Sequence, residues 1–264
     1  MLVDSHCHID FNDFEDDIDE VIVNMKQNGV TAALNAGNSL DDFENQINLS
    51  EKYPFIYVAA GVHPHNADEC LGVNADDILQ KTGHKKVVAI GECGLDYYYD
   101  YSTKENQKRL FIEHIIAAQE SELPLVIHTR DADDDLIEIL KENYAKKPFS
   151  GEIHCFSSSK KLADFALEIG FYISASGIIT FNKSGDLRDI FEKLPNERLL
   201  AETDSPFLAP VPLRGHRNEP ANVRYVVEKL AQIKNMSFED MAEITTKNFY
   251  KLFRKASDKG RYEY

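Results

Sequence analysis

The sequence predicts an α/β protein, a single-domain TIM-like (β/α)8 barrel spanning residues 1–264. Three observations predict it. Eight short apolar runs alternate with amphipathic stretches along the chain, the order that gives a parallel sheet covered by helices. A length of 264 residues suits one barrel without a second domain. Histidines and carboxylates fall again and again where a strand-like run ends, and in a barrel those ends converge on one mouth. An open doubly wound sheet is the alternative. No glycine-rich nucleotide fingerprint follows the first run, which counts against a dinucleotide fold.

The strand-like runs are Leu2–His6, Thr31–Ala36, Phe55–Val62, Val87–Glu92, Leu125–His128, Glu152–Phe156, Phe171–Ala175 and Leu199–Glu202. The helical stretch Phe14–Asn28 stops at Gly29, a residue suited to the left-handed turn that closes helices. Asp41–Lys52 stops before Pro54, and Thr103–Glu122 carries Leu110, Phe111, Ile115, Ile116 and Ala118 near helical spacing. Ala132–Tyr144, Lys160–Ile169, Asp186–Leu194, Asn222–Lys234 and Ser237–Phe253 complete the set. Ser237 with Asp240 three residues on is a helix-start pattern. The segment 203–220 holds Pro206, Pro210, Pro212 and Pro220 and reads as a rigid irregular loop.

The charge balance narrows the partners. There are 29 basic and 45 acidic residues, a net charge of -16, with no basic tract. Stable sequence-independent binding to nucleic acid needs a cationic surface and is not expected. No run approaches the roughly 18 apolar residues that span a bilayer, and Asp4 interrupts what would be a signal segment. The four cysteines form no C-x-x-C pair and are expected to be reduced in a cytoplasmic protein. Cys7, Cys93 and Cys155 each sit beside a candidate ligand and should point away from it into packing. Nothing in the chain demands a dimer, so a monomer is expected.

The candidate ligands are few and placed alike. His6 and His8, in Asp4-Ser5-His6-Cys7-His8, end the first run and share a face by strand alternation. Glu92 ends the fourth run, His128 the fifth, His154 lies on the sixth, and Asp204 follows the eighth. His63 and His65, in Gly61-Val62-His63-Pro64-His65, leave the third. Six groups are too many for one tetrahedral ion. They suit two divalent cations with Glu92 between: His6 and His8 on one with Asp204, His128 and His154 on the other. Positions left open would admit water, which such ions activate at neutral pH. With only Glu92 and Asp204 set against four positive charges, the pocket is expected to be net positive and to attract an anionic phosphodiester.

These residues, in this order, resemble the TatD family of metal-dependent hydrolases within the amidohydrolase-like superfamily. The resemblance runs from Asp4–His8 through Gly61–His65, Gly91-Glu92-Cys93-Gly94-Leu95-Asp96-Tyr97, Ile127–Arg130, His154-Cys155-Phe156, Glu202–Pro206 and Arg214–Pro220 to Asn248-Phe249. It implies a TIM-like barrel, two divalent ions per subunit and hydrolysis of phosphodiester bonds in DNA, often as an exonuclease. It assigns His6, His8 and Asp204 to one metal, His128 and His154 to the other, Glu92 as bridge, and His63 as a substrate-phosphate or general-acid group. DNA would then be a transient substrate, with Glu92, Asp204 and His63 as the catalytic set. Nitrogen-rich ligands favour Zn, Mn or Ni over Mg, which prefers oxygen. A carboxylated lysine bridges the metals in many related barrels, whereas here the fourth run ends in Glu92. The other reading keeps the metals but takes a small phosphoester, amide or lactone.

Other residues carry open alternatives. Arg130 shares the face of His128, and could clamp a phosphate or pair with Asp131 or Asp133. Arg214 and Arg217 could contact substrate or bridge to Glu219 or to loop carbonyls. Tyr97, Tyr98, Tyr99 and Tyr101 could stack on bases or simply pack a loop. Glu202 is placed to orient a ligand histidine. His65 reads as a loop-stabilising residue, and His84 and His114 as ordinary surface or interhelical residues.

Overall fold

The computed structural model describes residues 1–256; the last eight residues of the expected 1–264 domain lie outside the described residues. Eight parallel strands follow one another in sheet order: β1 (Leu2–Cys7), β2 (Val30–Ala36), β3 (Ile56–Ala60), β4 (Val87–Asp96), β5 (Leu125–Arg130), β6 (Gly151–Ile153), β7 (Tyr172–Ala175) and β8 (Leu199–Ala201). The sheet curls almost shut. A bridge between Cys7 and Ser205, with the His8 N–H donating to the Ser205 carbonyl at 2.8 Å, joins the first strand to the end of the last. This is the barrel that the alternation predicts.

Nine α-helices are present among the described residues: α1 (Ile18–Gln27), α2 (Phe43–Lys52), α3 (Ala75–Thr82), α4 (Lys104–Ser121), α5 (Asp133–Lys146), α6 (Lys160–Glu168), α7 (Gly185–Lys193), α8 (Val223–Ile233) and α9 (Phe238–Leu252). Residues of α1, α4, α5, α6, α7 and α8 join outward-facing strand residues such as Ile90, Ile127, Ile153 and Ile173 in one large core. The last helix does a different job. Phe249, Leu252 and Phe253 meet Val3, Leu34, Val88, Val126 and Leu200. Asn248 donates to the Leu199 carbonyl, Thr246 to that of Met1, and Lys255 to those of Thr82 and His84. Met1, Leu199 and His84 lie at or just before strand starts and Thr82 closes α3, so α9 and the turn after it plug the barrel end opposite the predicted mouth.

The sequence reading differs from the structure in two places that matter. Helix α3 was not expected. It is only 8 residues long, and Asn74 caps it by accepting from the Asp76 and Asp77 N–H groups while Asp77 returns a bond to the Asn74 N–H. Strand β4 does not stop at Glu92 but continues to Asp96, pairing Gly94 with His128 and Asp96 with Arg130 on β5. Gly94 makes this possible. Its φ is +134°, and a Cβ there would stand 2.0 Å from the His128 carbonyl oxygen. Strands β6 and β8 are conversely shorter than expected, so His154 and Asp204 stand just beyond their ends. Backbone bonds hold both: the His154 N–H donates to Ile127 at 3.0 Å and the Asp204 N–H to His6 at 3.0 Å.

Candidate metal centre

The six predicted ligands come together at the C-terminal mouth around the Glu92 carboxylate. On one side, Glu92 Oε2 lies 3.2 Å from His6 Nε2 and 3.4 Å from His8 Nε2. Asp204 Oδ1 is 3.7 Å from each of those nitrogens, which are themselves 3.2 Å apart. On the other side, Glu92 Oε1 lies 3.0 Å from His128 Nδ1 and 2.8 Å from His154 Nε2, with those two nitrogens 3.3 Å apart. Ligand bonds of about 2.0–2.2 Å at tetrahedral angles place donors about 3.3–3.6 Å apart. The first group has that spacing; the second is slightly tighter.

The ring tautomers decide which nitrogens are free to bind a cation. In a neutral ring, a rear carbonyl or carboxylate keeps the proton on the nitrogen it faces and so reserves the other nitrogen for a cation. His8 donates through Nδ1 to the Ala36 carbonyl at 3.2 Å. His128 donates through Nε2 to Asp96 at 2.9 Å, and His154 through Nδ1 to Glu202 at 3.2 Å. All three therefore turn their other nitrogen toward the Glu92 carboxylate, where either a proton sits or a bound cation would take the lone pair. Glu92 Oε2 and His6 Nδ1 are buried and have no hydrogen-bond partner among the described residues. Imidazole nitrogens and carboxylate oxygens converging on one point, one of those oxygens without a hydrogen-bond partner among the described residues, are what a cation would satisfy.

His63 differs from the rest. Its Nδ1 accepts the His65 backbone N–H at 3.2 Å, so the neutral ring carries its proton on Nε2, 3.3 Å from Glu92 Oε1. His63 thus keeps its proton toward the site, whereas His8, His128 and His154 keep a donor to a partner behind the ring.

Charge preferences follow the same geometry. Burial pushes Glu92 up, but the rings of His154, His63 and His6 outweigh it and hold the carboxyl well below the usual range. Burial opposes charge on His8, His128 and His154, yet the facing carboxylates raise all three. Protons thus favour the places a cation would take. Burial and the neighbouring His154 lower His6 to about 4 despite Glu92, and burial lowers His63 to about 4. Burial lifts Asp204 to about 6.

The surroundings hold more acid than the sequence suggests. Asp96 accepts from both His128 and His65, each at 2.9 Å, and also from the Tyr98 and Tyr99 N–H groups. The extended β4 brings it to the site, four residues beyond Glu92 and on the same face by alternation; that spacing was the signal available. With Asp96 and Glu202 added to Glu92 and Asp204, four carboxylates would balance the charge of two dications, where the sequence reading counts two.

Further readings are corrected nearby. His114 is fully buried: its Nδ1 donates to the Leu110 carbonyl at 2.8 Å and its Nε2 accepts the Val62 N–H at 2.9 Å, just before His63. Arg130 pairs with neither Asp131 nor Asp133; its guanidinium lies 3.6 Å from the Tyr98 ring centre and 5.0 Å from that of Tyr99. Arg217 bonds the Asp17 carboxylate and, in line with one expected alternative, a loop carbonyl, that of Asp13, rather than Glu219, and Arg214 lies 3.7 Å from the Phe181 ring centre. Tyr97 packs partly buried and donates to Asp135 at 2.7 Å, whereas Tyr98, Tyr99 and Tyr101 are exposed.

The family model described as TatD related DNase matches residues 3–254. The chain belongs to the TatD family. It is 41% identical over 254 residues to the uncharacterized metal-dependent hydrolase YabD of Bacillus subtilis, covering 96% of this chain and 99% of that one. It is 32% identical to the 3'-5' ssDNA/RNA exonuclease TatD of Pectobacterium parmentieri, covering 97% and 100%. The crystal structure of the TatD homolog YJJV from Escherichia coli superposes with a TM-score of 0.85 at 30% identity, covering 96% and 98%. This TatD-family chain is therefore a metal-dependent hydrolase. Among its described residues no helix is long and apolar enough to cross a membrane.

Proposed function

We propose that the protein is a two-metal phosphodiesterase that hydrolyses DNA, and that His6, His8, Glu92, His128, His154 and Asp204 hold the metals. One observation carries this reading: three histidine rings, each held from behind by a carbonyl or carboxylate, turn their other nitrogen toward a single carboxylate whose two oxygens face separate groups of imidazoles. Divalent ions bound there would act as Lewis acids and acidify water at neutral pH. Glu92 spans both positions and sets their separation. Asp204, 15% exposed at the rim, is placed to accept the proton released when water attacks phosphorus. His63, with its proton on Nε2 and 12% exposed, is placed to donate to a phosphoryl or leaving oxygen. The name of the exonuclease relative points to single-stranded nucleic acid as the substrate.

The test is a substrate panel on protein of measured metal content: single-stranded DNA, duplex DNA, a chromogenic phosphodiester and an amide, each with Zn, Mn, Ni and Mg. Cleavage of single-stranded DNA supports the reading. Turnover of the amide with inert DNA overturns it in favour of the small-substrate alternative.

A further inference from the structure

Two aromatic surfaces flank the candidate metal centre, one on either side of Glu92. On the His63 side, Tyr98, Tyr99 and Tyr101 are 56%, 39% and 64% exposed. Tyr99 and Tyr101 stack nearly parallel, 20° apart with centroids at 5.3 Å, and both meet the His65 ring edge-on at 5.3 and 4.8 Å. His65 in turn touches His63 at 4.3 Å, and Arg130 lies over Tyr98. On the His8 side, Phe11 stacks on the His8 ring at 4.7 Å, and Phe207, 53% exposed, meets Phe11 edge-on at 6.3 Å. Large rings left in water on a protein of net charge -16 call for an explanation. Both groups are continuous with imidazoles that face opposite oxygens of the Glu92 carboxylate.

We infer that these are two stacking platforms for the bases of a single strand on either side of the phosphate being cleaved: Tyr99 and Tyr101 for one base, Phe207 for the other. This rests on the nuclease reading above. Unpaired bases expose faces that such rings accept whatever the sequence, and stacking supplies affinity where overall charge opposes binding. Arg130 adds a cation beside the tyrosine platform without a carboxylate partner among the described residues, so its charge remains for a backbone phosphate.

The test uses the metal-loaded full chain and single-stranded oligonucleotides. Tyr99→Leu and Phe207→Leu should each raise KM at least about fivefold, since one stacked base contributes that much or more, while Tyr99→Phe should keep wild-type KM. An abasic site on the matching side of the cleaved phosphate should bring wild type and the leucine variant together. An oligonucleotide carrying 2-aminopurine and a non-cleavable linkage should lose fluorescence on binding wild type, and the Tyr99→Leu protein should lack that quenching. Unchanged KM in both leucine variants, or quenching that survives Tyr99→Leu, overturns the platforms while leaving the nuclease reading intact. A wild-type protein that neither binds nor cleaves the oligonucleotide but turns over a small substrate overturns both.

Discussion

The two sides of Glu92 are built from the same residue type but are supported differently. His128 and His154 each have the rear nitrogen against a carboxylate, Asp96 and Glu202, while His8 has a backbone carbonyl and His6 has nothing. A carboxylate behind an imidazole fixes its tautomer and raises its basicity, so the His128/His154 side is the better prepared for a cation. The His6/His8 side depends instead on Asp204, a rim residue held in place by one backbone bond to His6. If both sides hold a cation, as proposed, the His128/His154 side would bind it more tightly and the His6/His8 side would exchange it more easily.

Removing the shared element should erase the difference. Glu92→Ala takes one donor from each side and leaves facing imidazoles with nothing between them. Activity should fall at least about 10^3-fold, several kcal/mol at 1.36 kcal/mol per decade, with unchanged circular dichroism. Metal content should fall on both sides; a variant that stays active when saturated with metal would show that the bridge is not Glu92.

The comparison is sharpened by weakening one support at a time. Asp96→Asn and Glu202→Gln keep shape but remove the charge behind His128 and His154. Each should lower metal affinity or activity about 10–100-fold, and competition with a chelator should show one of two ions lost first. Equal loss of both ions would mean the two sides are not separable. Acidity offers a third probe. Asp204 lies at about 6 because burial disfavours its ionised form. Below that pH a cation must displace its proton, so affinity on the His6/His8 side should drop about tenfold per pH unit as pH falls through 6. Titration calorimetry across pH 5–7.5 measures this, and Asp204→Asn should flatten the slope.

Much of this centre was legible in the sequence because strand alternation and barrel convergence are regular. His6 and His8 at a two-residue spacing, and single ligands at later strand ends, needed only those rules. What was missed depends on backbone behaviour that residue types signal weakly. Gly94 reads as a strand breaker, yet here it lets β4 run against the His128 carbonyl and deliver Asp96. His114 lies on a helix with ordinary amphipathic spacing, and nothing local shows that its ring reaches the Val62 N–H 52 positions away. The partner of Arg217 is 200 residues distant at Asp17. Helix α3 was the more available, since Asn74 and Asp77 spell a capping pattern that its short length obscured.

The smallest effect concerns the ground beneath the better supported side. Glu152 precedes His154 by two residues on β6, is fully buried, and neither carboxyl oxygen has a hydrogen-bond partner among the described residues. Burial, then the nearby Glu202, push its carboxyl well above the usual range. A carboxyl bound to its proton more tightly in the folded than in the unfolded chain stabilises the fold below pH about 4.5 and loses that contribution as pH rises toward the folded value. At neutral pH it is a cost. Glu152→Leu, flanked by Val126 and Tyr172 on the neighbouring strands, should therefore raise stability by about 1–3 kcal/mol, with a smaller gain at pH 4 than at pH 7. Urea unfolding at both values measures the difference. A loss of stability at neutral pH instead would mean that Glu152 has a polar partner, such as ordered water, and that the acid-rich setting of His154 reaches one layer deeper into the barrel than Glu202.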